Sequence, residues 1–245
     1  MIAGEPLPLS LLHGLATTRT IRRYLPDPIP DEDLATILWH ATRAPSGSNR
    51  QPVRYLVLRD GPQAVAARSV LGESFRASWA AKRAADGYVV EAAVIEATVG
   101  EAAAVDGAVA DSPKARMAAT MQHFVDHLEQ VPAIVLVCLQ RYREASPYEG
   151  ASVYPAAQNL LLAARALGYG GALTMWHQMV EPQLRELLGV PERVALSACI
   201  TLGRPAGRHG AVRRRPLHDV VFQDQWGEHA DWAIDPPGTA HTSWK

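Results

Sequence analysis

The sequence predicts an α+β fold or a three-layer sandwich, with four or five strands and at least six helices. Strand and helix patterns alternate along the chain, yet the helices outnumber the strands. No Gly-x-Gly-x-x-Gly motif follows a strand, which argues against the regular doubly wound dinucleotide fold. With 245 residues, 48% of them hydrophobic, the chain can build one large domain or two small ones.

The first part of the chain predicts two helices separated by an extended connector. Residues 10–15 predict the first helix, because their leucines share one face. Prolines alternate between residues 26 and 30, a pattern typical of extended backbone. Acidic residues at 31–33, followed by apolar residues at helical spacing over 34–41, predict the second helix, since carboxylates favour the positive end of the helix dipole.

Apolar runs and turn residues mark the remaining elements. The uninterrupted apolar run at 133–139 predicts a strand buried on both faces. Ser112 followed by proline predicts a helix start, and Gly168 predicts a helix end. The predicted strands are 54–60, 133–139, 170–175 and 194–202, and the predicted helices are the alanine-rich 61–107, one that starts at 113, 154–167 and 182–188.

The overall composition predicts a cytoplasmic protein without nucleic-acid or membrane partners. The formal net charge is −1, so the charge of the whole chain does not favour binding to a polyanion. The N-terminus lacks a basic stretch followed by an apolar one, and no apolar run approaches the ~20 residues that span a bilayer. Cys138 and Cys199 lie in apolar runs, which predicts buried thiols.

Two arginine-rich segments lie near opposite ends of the chain. Residues 18–24 (TRTIRRY) contain three arginines, and residues 212–217 (VRRRPL) contain three in a row. Each segment is either a solvated basic turn or a clamp for an anion, because guanidinium forks match phosphate geometry. The overall charge and the lack of interleaved aromatic residues argue against nucleic-acid binding by the second segment.

A polar loop follows the second predicted helix. Residues 44–52 (APSGSNRQP) place small and polar residues between two prolines. The loop is either an ordinary helix terminator or a surface whose backbone N–H groups meet the edge of a flat ligand. The amides of Asn49 and Gln51 add donors and acceptors for such an edge.

The sequence does not reveal a nucleophile or a general acid, so the catalytic residues are unknown. A Ser/His/Asp set in a recognisable context is absent. His123 and His127 lie four residues apart on a predicted helix, as metal-binding pairs do. No glutamate follows His123 in the required place, so we predict no metal site.

Taken in order along the chain, these segments resemble the FMN-dependent nitroreductase superfamily. Residues 18–24 are similar to its Arg-Arg-Ser-(Ile or Val)-Arg-x-(Phe or Tyr) segment, and residues 45–53 (PSGSNRQPV) to its Pro-Ser-(Ser or Gly)-x-Asn-x-Gln-Pro-Trp loop. The similarity covers about residues 10–60 and 130–225. Its further stretches are 157–170, 173–176, 181–191 and the closing Arg-x-Pro-Leu at 214–217.

The resemblance implies a three-layer α-β-α sandwich with a mixed sheet of four to five strands, helices on both faces and an intertwined homodimer. It implies FMN at the subunit interface, NADPH or NADH as co-substrate, and a small electron-poor acceptor such as a nitroaromatic or a quinone. Two alternatives stay open. One is a flavin- and oxygen-dependent reaction of the same fold, such as flavin fragmentation, or reductive dehalogenation; the other is a non-enzymatic flavin-binding protein.

The resemblance also implies a role for individual residues. Arg19 and Arg214 would hold the FMN phosphate, and Thr20 and Arg22 would face the pyrimidine side of the flavin. The loop would come from the partner subunit, and residues 173–176 would border the flavin N5. The implied cofactor-binding residues are Thr18, Arg19, Thr20, Arg22, Pro45, Ser46, Gly47, Asn49, Leu173, Thr174, Trp176, Arg213 and Arg214.

We expect a single domain over residues 1–245, with two stretches outside the resemblance. Residues 61–130 are expected to form a variable helical cover over the substrate face. Residues 225–245 contain three tryptophans without a regular period, and are expected to form an extended tail against a neighbouring surface. Thr18 stands where the family has arginine, a loss for which Arg213 would have to compensate, and Val53 stands where the family has tryptophan.

Overall fold

The structure is a computed structural model and describes residues 9–87, 112–207 and 210–241. The chain divides into a central unit, Thr20–Gly207, and a terminal unit built from both chain ends, Met1–Arg19 and Arg208–Lys245. Residues 88–107 of the predicted alanine-rich helix lie outside the described residues, as does Trp244 of the predicted tail. Among the described residues, no helix is both long and apolar enough to cross a membrane.

Four strands form the sheet of the central unit, within the predicted range of four to five. They are β1 (Val53–Leu58), β2 (Ala133–Gln140), β3 (Gly170–Thr174) and β4 (Val194–Gly203), in the order β1-β2-β4-β3. All three pairings are antiparallel, so the predicted mixed character is limited to an isolated parallel bridge between Thr20 and Gly171. Extended backbone at Thr20 pairs with the edge strand β3 only through this bridge and does not form a fifth strand in the described chain.

Helices cover both faces of this sheet, which confirms the predicted three-layer sandwich. Alternate side chains of β2 point to opposite faces, and all but its last residue are buried. Ile134, Leu136 and Cys138 pack against the first helical layer, whereas Val135 and Val137 pack against the second. The first layer contains α3 (Pro62–Asp86), α4 (Pro113–Asp126) and α6 (Glu181–Leu188), and the second contains α2 (Asp31–Ala41) and α5 (Gly150–Ala166).

Local chemistry explains most helix ends. The Ser112 hydroxyl caps α4 by accepting a hydrogen bond from the Ala115 N–H at 3.1 Å, and proline follows at the first helical position. Gly87 ends α3 in the left-handed conformation. Helix α5 starts at Gly150, not at the predicted residue 154, because the chain accommodates Pro155 inside the helix. Both cysteines are buried and free, as predicted.

Two glycines at the start of β3 allow close packing. A Cβ atom on Gly170 would clash with the Ile21 side chain, and one on Gly171 would lie 2.7 Å from the Thr201 carbonyl oxygen. The Ile21 N–H donates to the Gly171 carbonyl oxygen at 2.9 Å. The Tyr24 hydroxyl lies 2.7 Å from the Thr201 hydroxyl on β4. Residues 20–24 are therefore held along the sheet edge at the start of β3.

The terminal unit contains α1 (Leu11–Thr17) and irregular chain. Ser10 caps α1 through the His13 N–H. Leu11 and Leu12 of the predicted apolar face are 70% and 78% exposed. Residues 225–241, the described part of the predicted tail, contain no helix or strand, and Trp226 within them is 88% exposed.

Candidate functional site

Two of the predicted site segments meet at the edge of the sheet. Thr20 pairs with Gly171 at the start of β3, and Arg22 follows two residues later. Leu173 and Thr174 form the other end of the same short strand, and Trp176 begins the 3₁₀ helix Trp176–Val180 directly after it. The fold thus brings residues that are 150 positions apart in the sequence onto one strand edge.

Arg22 lines a cavity of about 280 Å³. Its side chain is half-buried, and no carboxylate pairs with it within the described ranges. Burial lowers the pKa of Arg22, but a guanidinium keeps its charge throughout the physiological range. The cavity therefore offers a partly desolvated cation to a ligand. The other lining residues are Tyr24, Pro26, His123, Phe124, His127, Gln130 and Val131.

The two histidines of this cavity were not predicted as site residues. The rings of His123 and His127 stack with centroids 4.2 Å apart and planes 27° apart. His127 Nδ1 lies 2.8 Å from the His123 carbonyl oxygen. Burial lowers the pKa of His123, and the nearby His127 and Arg23 lower it further. The spacing of four residues predicts that both histidines lie on one face of the helix, but nothing in the sequence predicts that this face lies beside Arg22.

Aromatic packing connects this cavity to the segment after β3. The Phe75 ring on α3 lies 6.3 Å from the Phe124 ring, which lines the cavity, and 5.5 Å from the Trp176 ring. The neighbouring Ser74 hydroxyl donates to the Trp176 carbonyl oxygen at 3.1 Å. Behind it, buried His177 lies with Nε2 2.9 Å from the Leu196 carbonyl oxygen on β4. Both α3 and β4 therefore hold the Trp176 segment in place.

The loop at residues 44–52 is strained. Ser48, Asn49 and Gln51 all have φ near +50° (53°, 51° and 50°), in the left-handed region that residues with a Cβ rarely occupy. Such strain is concentrated at ligand-binding loops, where the surrounding structure holds it in place. Ser46 holds it here, since its side-chain oxygen accepts from the Gln51 N–H at 2.9 Å and its carbonyl oxygen from the Asn49 N–H at 2.9 Å.

The left-handed residues of the loop are the non-glycine neighbours of Gly47. A Cβ atom on Gly47 would have no heavy atom within 4 Å in the described chain. The Gly47 N–H donates to the Ser152 hydroxyl on α5 at 3.3 Å. The space beside Gly47 is therefore open in the described chain.

The loop and Arg22 line separate cavities of the chain. Pro45, Ser46 and Gly47 border a cavity of about 320 Å³ whose far wall includes Tyr142 and Tyr148. A bidentate pair between Arg141 and Glu149, at 2.8 and 2.9 Å, fixes that wall. None of the residues that line this cavity also lines the Arg22 cavity.

The remaining predicted residues belong to the terminal unit. Thr18 donates its hydroxyl to the Gly14 carbonyl oxygen at 2.7 Å, so this hydroxyl closes α1 and only its lone pairs remain for a ligand. Arg19, Arg213 and Arg214 are exposed. The Arg214 guanidinium donates to the Arg213 carbonyl oxygen at 2.9 Å.

The chain belongs to the nitroreductase family, whose model matches residues 15–204. It is 31% identical over 220 residues to a Thermus thermophilus protein named NADH dehydrogenase, with 83% of this chain and 91% of that protein covered. It is 28% identical over 221 residues to the 5,6-dimethylbenzimidazole synthase of Rhodospirillum rubrum, with 83% and 89% covered. A Desulfovibrio desulfuricans protein described as a nitroreductase, solved with FMN, superposes with a TM-score of 0.58 at 25% identity, with 88% and 96% covered.

The family membership confirms the resemblance drawn from the ordered motifs. It covers the segment at residues 18–24, the strained loop and all four strands. Arg213 and Arg214 lie beyond the matched range.

Proposed function

We propose that the protein is an FMN-dependent oxidoreductase that transfers hydride from NADPH or NADH to an electron-poor acceptor such as a nitroaromatic or a quinone. The observation that carries this proposal is the half-buried Arg22, without a carboxylate partner in the described chain, in a cavity that aromatic packing through Phe75 connects to Trp176. Flavin, when bound, supplies the hydride chemistry, and the protein supplies orientation and electrostatic field.

The Arg22 cavity fits the pyrimidine side of a flavin. That side of the ring carries carbonyl oxygens, and its negative charge increases on reduction. A guanidinium held in a partly desolvated cavity stabilises such charge more strongly than it would in water. Thr20, two residues earlier on the same extended segment, adds a hydroxyl donor. Leu173, Thr174 and Trp176 then border the reactive part of the ring system from the end of β3.

The arginines of the terminal unit suit the phosphate of FMN. Arg19, Arg213 and Arg214 are exposed, and a dianionic phosphate can accept several charge-assisted hydrogen bonds from guanidinium groups. Thr18 occupies the place of a family arginine, and its hydroxyl is already donated to Gly14. We therefore assign Arg213 to compensate for the missing cation.

We propose that two copies of the chain complete each site. The strained loop and Arg22 line separate cavities in one chain, as expected if the loop serves the flavin of the second copy. In that arrangement Pro45, Ser46, Gly47 and Asn49 contact the ring from the partner. The exposed leucines of α1 provide apolar surface for such an interface.

A second candidate function has an observation in its favour. The similarity to 5,6-dimethylbenzimidazole synthase extends over 83% of this chain. A reaction of reduced flavin with oxygen, with fragmentation of the flavin, is therefore the alternative to hydride transfer. Formation of dimethylbenzimidazole under air, without NAD(P)H-driven reduction of any acceptor, would favour this alternative.

The proposal is tested first by the visible spectrum of the purified protein. We expect bound oxidised flavin, released on denaturation and identified as FMN, and steady NAD(P)H oxidation with menadione or nitrofurazone. A colourless protein that gains no flavin when FMN is added would contradict the proposal. Bound FMN without turnover of any acceptor would favour the non-enzymatic flavin-binding alternative.

A further inference from the structure

We infer that His123 and His127 form, together with Arg22, a wall of the flavin pocket whose protonation favours the reduced cofactor. This inference rests on the proposed function, because it assigns residues to the same FMN site. It adds a pH-responsive group to a site for which the sequence suggested only a permanent cation. The predicted consequence is a flavin redox potential that depends on pH through His123.

The geometry leaves imidazole nitrogens available to the cavity. His127 lies with Nδ1 at 2.8 Å from the His123 carbonyl oxygen, which fixes Nδ1 as the donor and leaves Nε2 for a ligand or a proton. Within the described chain, the His123 ring makes the stacking contact with His127 and no side-chain hydrogen bond is resolved for it. Both rings line the same cavity as Arg22.

Several charged or titratable groups surround His123. Arg22, Arg23 and Tyr24 face it from the segment at residues 20–24. On its own helix, the Asp126 carboxylate favours its protonation, but Gln122 donates to both oxygens of that carboxylate at 2.9 and 3.0 Å. From α3, Arg83 donates to Gln122 and Arg76 pairs with Glu129. The cations and the burial together oppose protonation of His123 unless an anionic ligand is present.

The sign of the effect follows from this balance. Burial, and then His127 and Arg23, lower the pKa of His123, so the ring is neutral near pH 7. A ligand edge with increased negative charge raises the pKa again. Two-electron reduction by NAD(P)H places such charge on the pyrimidine side of the ring, and the compensating proton comes from solvent. A fall in pH therefore stabilises the reduced form more than the oxidised form.

A metal site or a plain surface pair would behave differently. Among the described residues, no group of three or more His, Cys, Asp or Glu side chains could hold a metal ion. A pair of surface histidines without a ligand would not affect the relative affinity of oxidised and reduced flavin. The redox potential is therefore the measurement that separates the inferred role from a structural one.

The experiment measures the midpoint potential of bound FMN from about pH 5.5 to about pH 8. The phosphate contributes equally to both oxidation states, so its own titration cancels in this potential. His123→Gln keeps a polar side chain but cannot take a proton in this range. The quantity compared is the dissociation constant of oxidised FMN divided by that of reduced FMN. As the pH falls, we expect this ratio to rise about tenfold more in the wild type than in His123→Gln, which is equivalent to one pKa unit.

His40→Gln is the matched control. Like His127, His40 lies exposed on a helix with Nδ1 2.8 Å from the carbonyl oxygen four residues earlier, but α2 covers the opposite face of the sheet. The control should keep the wild-type pH dependence. If His123→Gln binds FMN with a midpoint potential that has the wild-type pH dependence, the inference is overturned and the proposed function is left intact. Failure of the wild type to bind FMN would contradict the proposed function itself.

A measurement on the wild-type protein covers the case in which a variant does not fold. The histidine ring protons titrate visibly in NMR spectra, with and without FMN and before and after reduction. We expect the pKa of His123 to rise when the bound cofactor is reduced. An unchanged His123 titration in the reduced complex would contradict the inference without any substitution.

Discussion

The backbone N–H of Val212 donates a hydrogen bond to the carbonyl oxygen of Ala16 at 3.2 Å. This bond joins the end of α1 to the chain just before the triple-arginine tract. Arg213 follows Val212 directly, and Arg19 lies three residues beyond Ala16. Arg19 and the triple-arginine tract, nearly 200 positions apart, thus belong to one unit. A shared unit is what the proposed phosphate clamp needs, because a phosphate accepts hydrogen bonds from several guanidinium groups at once.

Removal of a clamp arginine should weaken FMN binding. Each charge-assisted hydrogen bond lost in Arg19→Ala or Arg214→Ala costs about 1.5–3 kcal/mol, or about tenfold to a hundredfold in the dissociation constant. Fluorescence titration of the apoprotein measures this change. Riboflavin lacks the phosphate, so its affinity should not change, and Arg23→Ala should have a much smaller effect on FMN. A larger effect of Arg23→Ala would show that the motif is aligned one residue out of register.

Gly170→Ala should displace the segment that carries Thr20 and Arg22. The new Cβ would clash with Ile21, and overpacking of this kind costs about 1–3 kcal/mol. Urea denaturation should show the loss of stability, accompanied by weaker flavin binding. Gly61→Ala is the control, because a Cβ there has no heavy atom within 4 Å and the residue has φ −66°. Equal stability of the two variants would contradict the close packing of β3 against Ile21.

Gly47→Ala separates folding from ligand approach. The added methyl group meets open space in the described chain, so the free energy of unfolding should change by less than about 0.5 kcal/mol. If the loop lies against the flavin of a second copy, the same methyl group should weaken FMN binding in the dimer. Unchanged FMN affinity in a dimeric Gly47→Ala protein would contradict contact between the loop and the cofactor.

Periodicity and capping were sufficient to predict most elements of the fold, whereas the three-layer arrangement was implied by the family resemblance. The apolar run of β2 predicted burial on both faces because such a strand has no polar side to expose, and Ser112 with its following proline predicted the start of α4. The predicted start of α5 at residue 154 was wrong, because the helix begins at Gly150 and accommodates Pro155 in its interior. Local rules therefore identified the elements and were least exact at one boundary.

Long-range contacts decide the parts of the site that the sequence did not reveal. His123 and Arg22 are separated by 101 positions, and only the packing of α4 near the sheet edge places them in one cavity. The left-handed backbone falls on Ser48, Asn49 and Gln51, although Gly47 was the local residue with conformational freedom. The closure of this loop depends on hydrogen bonds to Ser46, which no propensity encodes.

Tyr55 and Tyr169 should respond in opposite ways to loss of the hydroxyl. The Tyr55 hydroxyl is buried without a hydrogen-bond partner in the described chain, whereas the Tyr169 hydroxyl donates to the Asp33 carboxylate at 2.5 Å. Tyr55→Phe should therefore be neutral or stabilising, and Tyr169→Phe should cost about 1.5–3 kcal/mol, typical of a hydrogen bond to a charged group. Chemical denaturation of both variants tests this. Destabilisation by Tyr55→Phe would reveal a partner outside the single described chain.

The same two tyrosines predict the alkaline limit of stability. Burial raises the pKa of Tyr55 to about 12, and burial together with the bond to Asp33 raises that of Tyr169 to about 12. The unfolded chain releases these protons near pH 10, so above that pH it binds fewer protons than the folded chain. The free energy of unfolding should then fall as the pH rises from about 10 to about 12, and it should be constant with respect to these groups below about 9.

Denaturation of wild type and of the Tyr55→Phe, Tyr169→Phe double variant across this range measures the slope. The double variant should lose stability less steeply, because it no longer has these two protons to release. An identical slope in both proteins would show that the loss arises elsewhere, for example at Tyr24, whose pKa burial also raises.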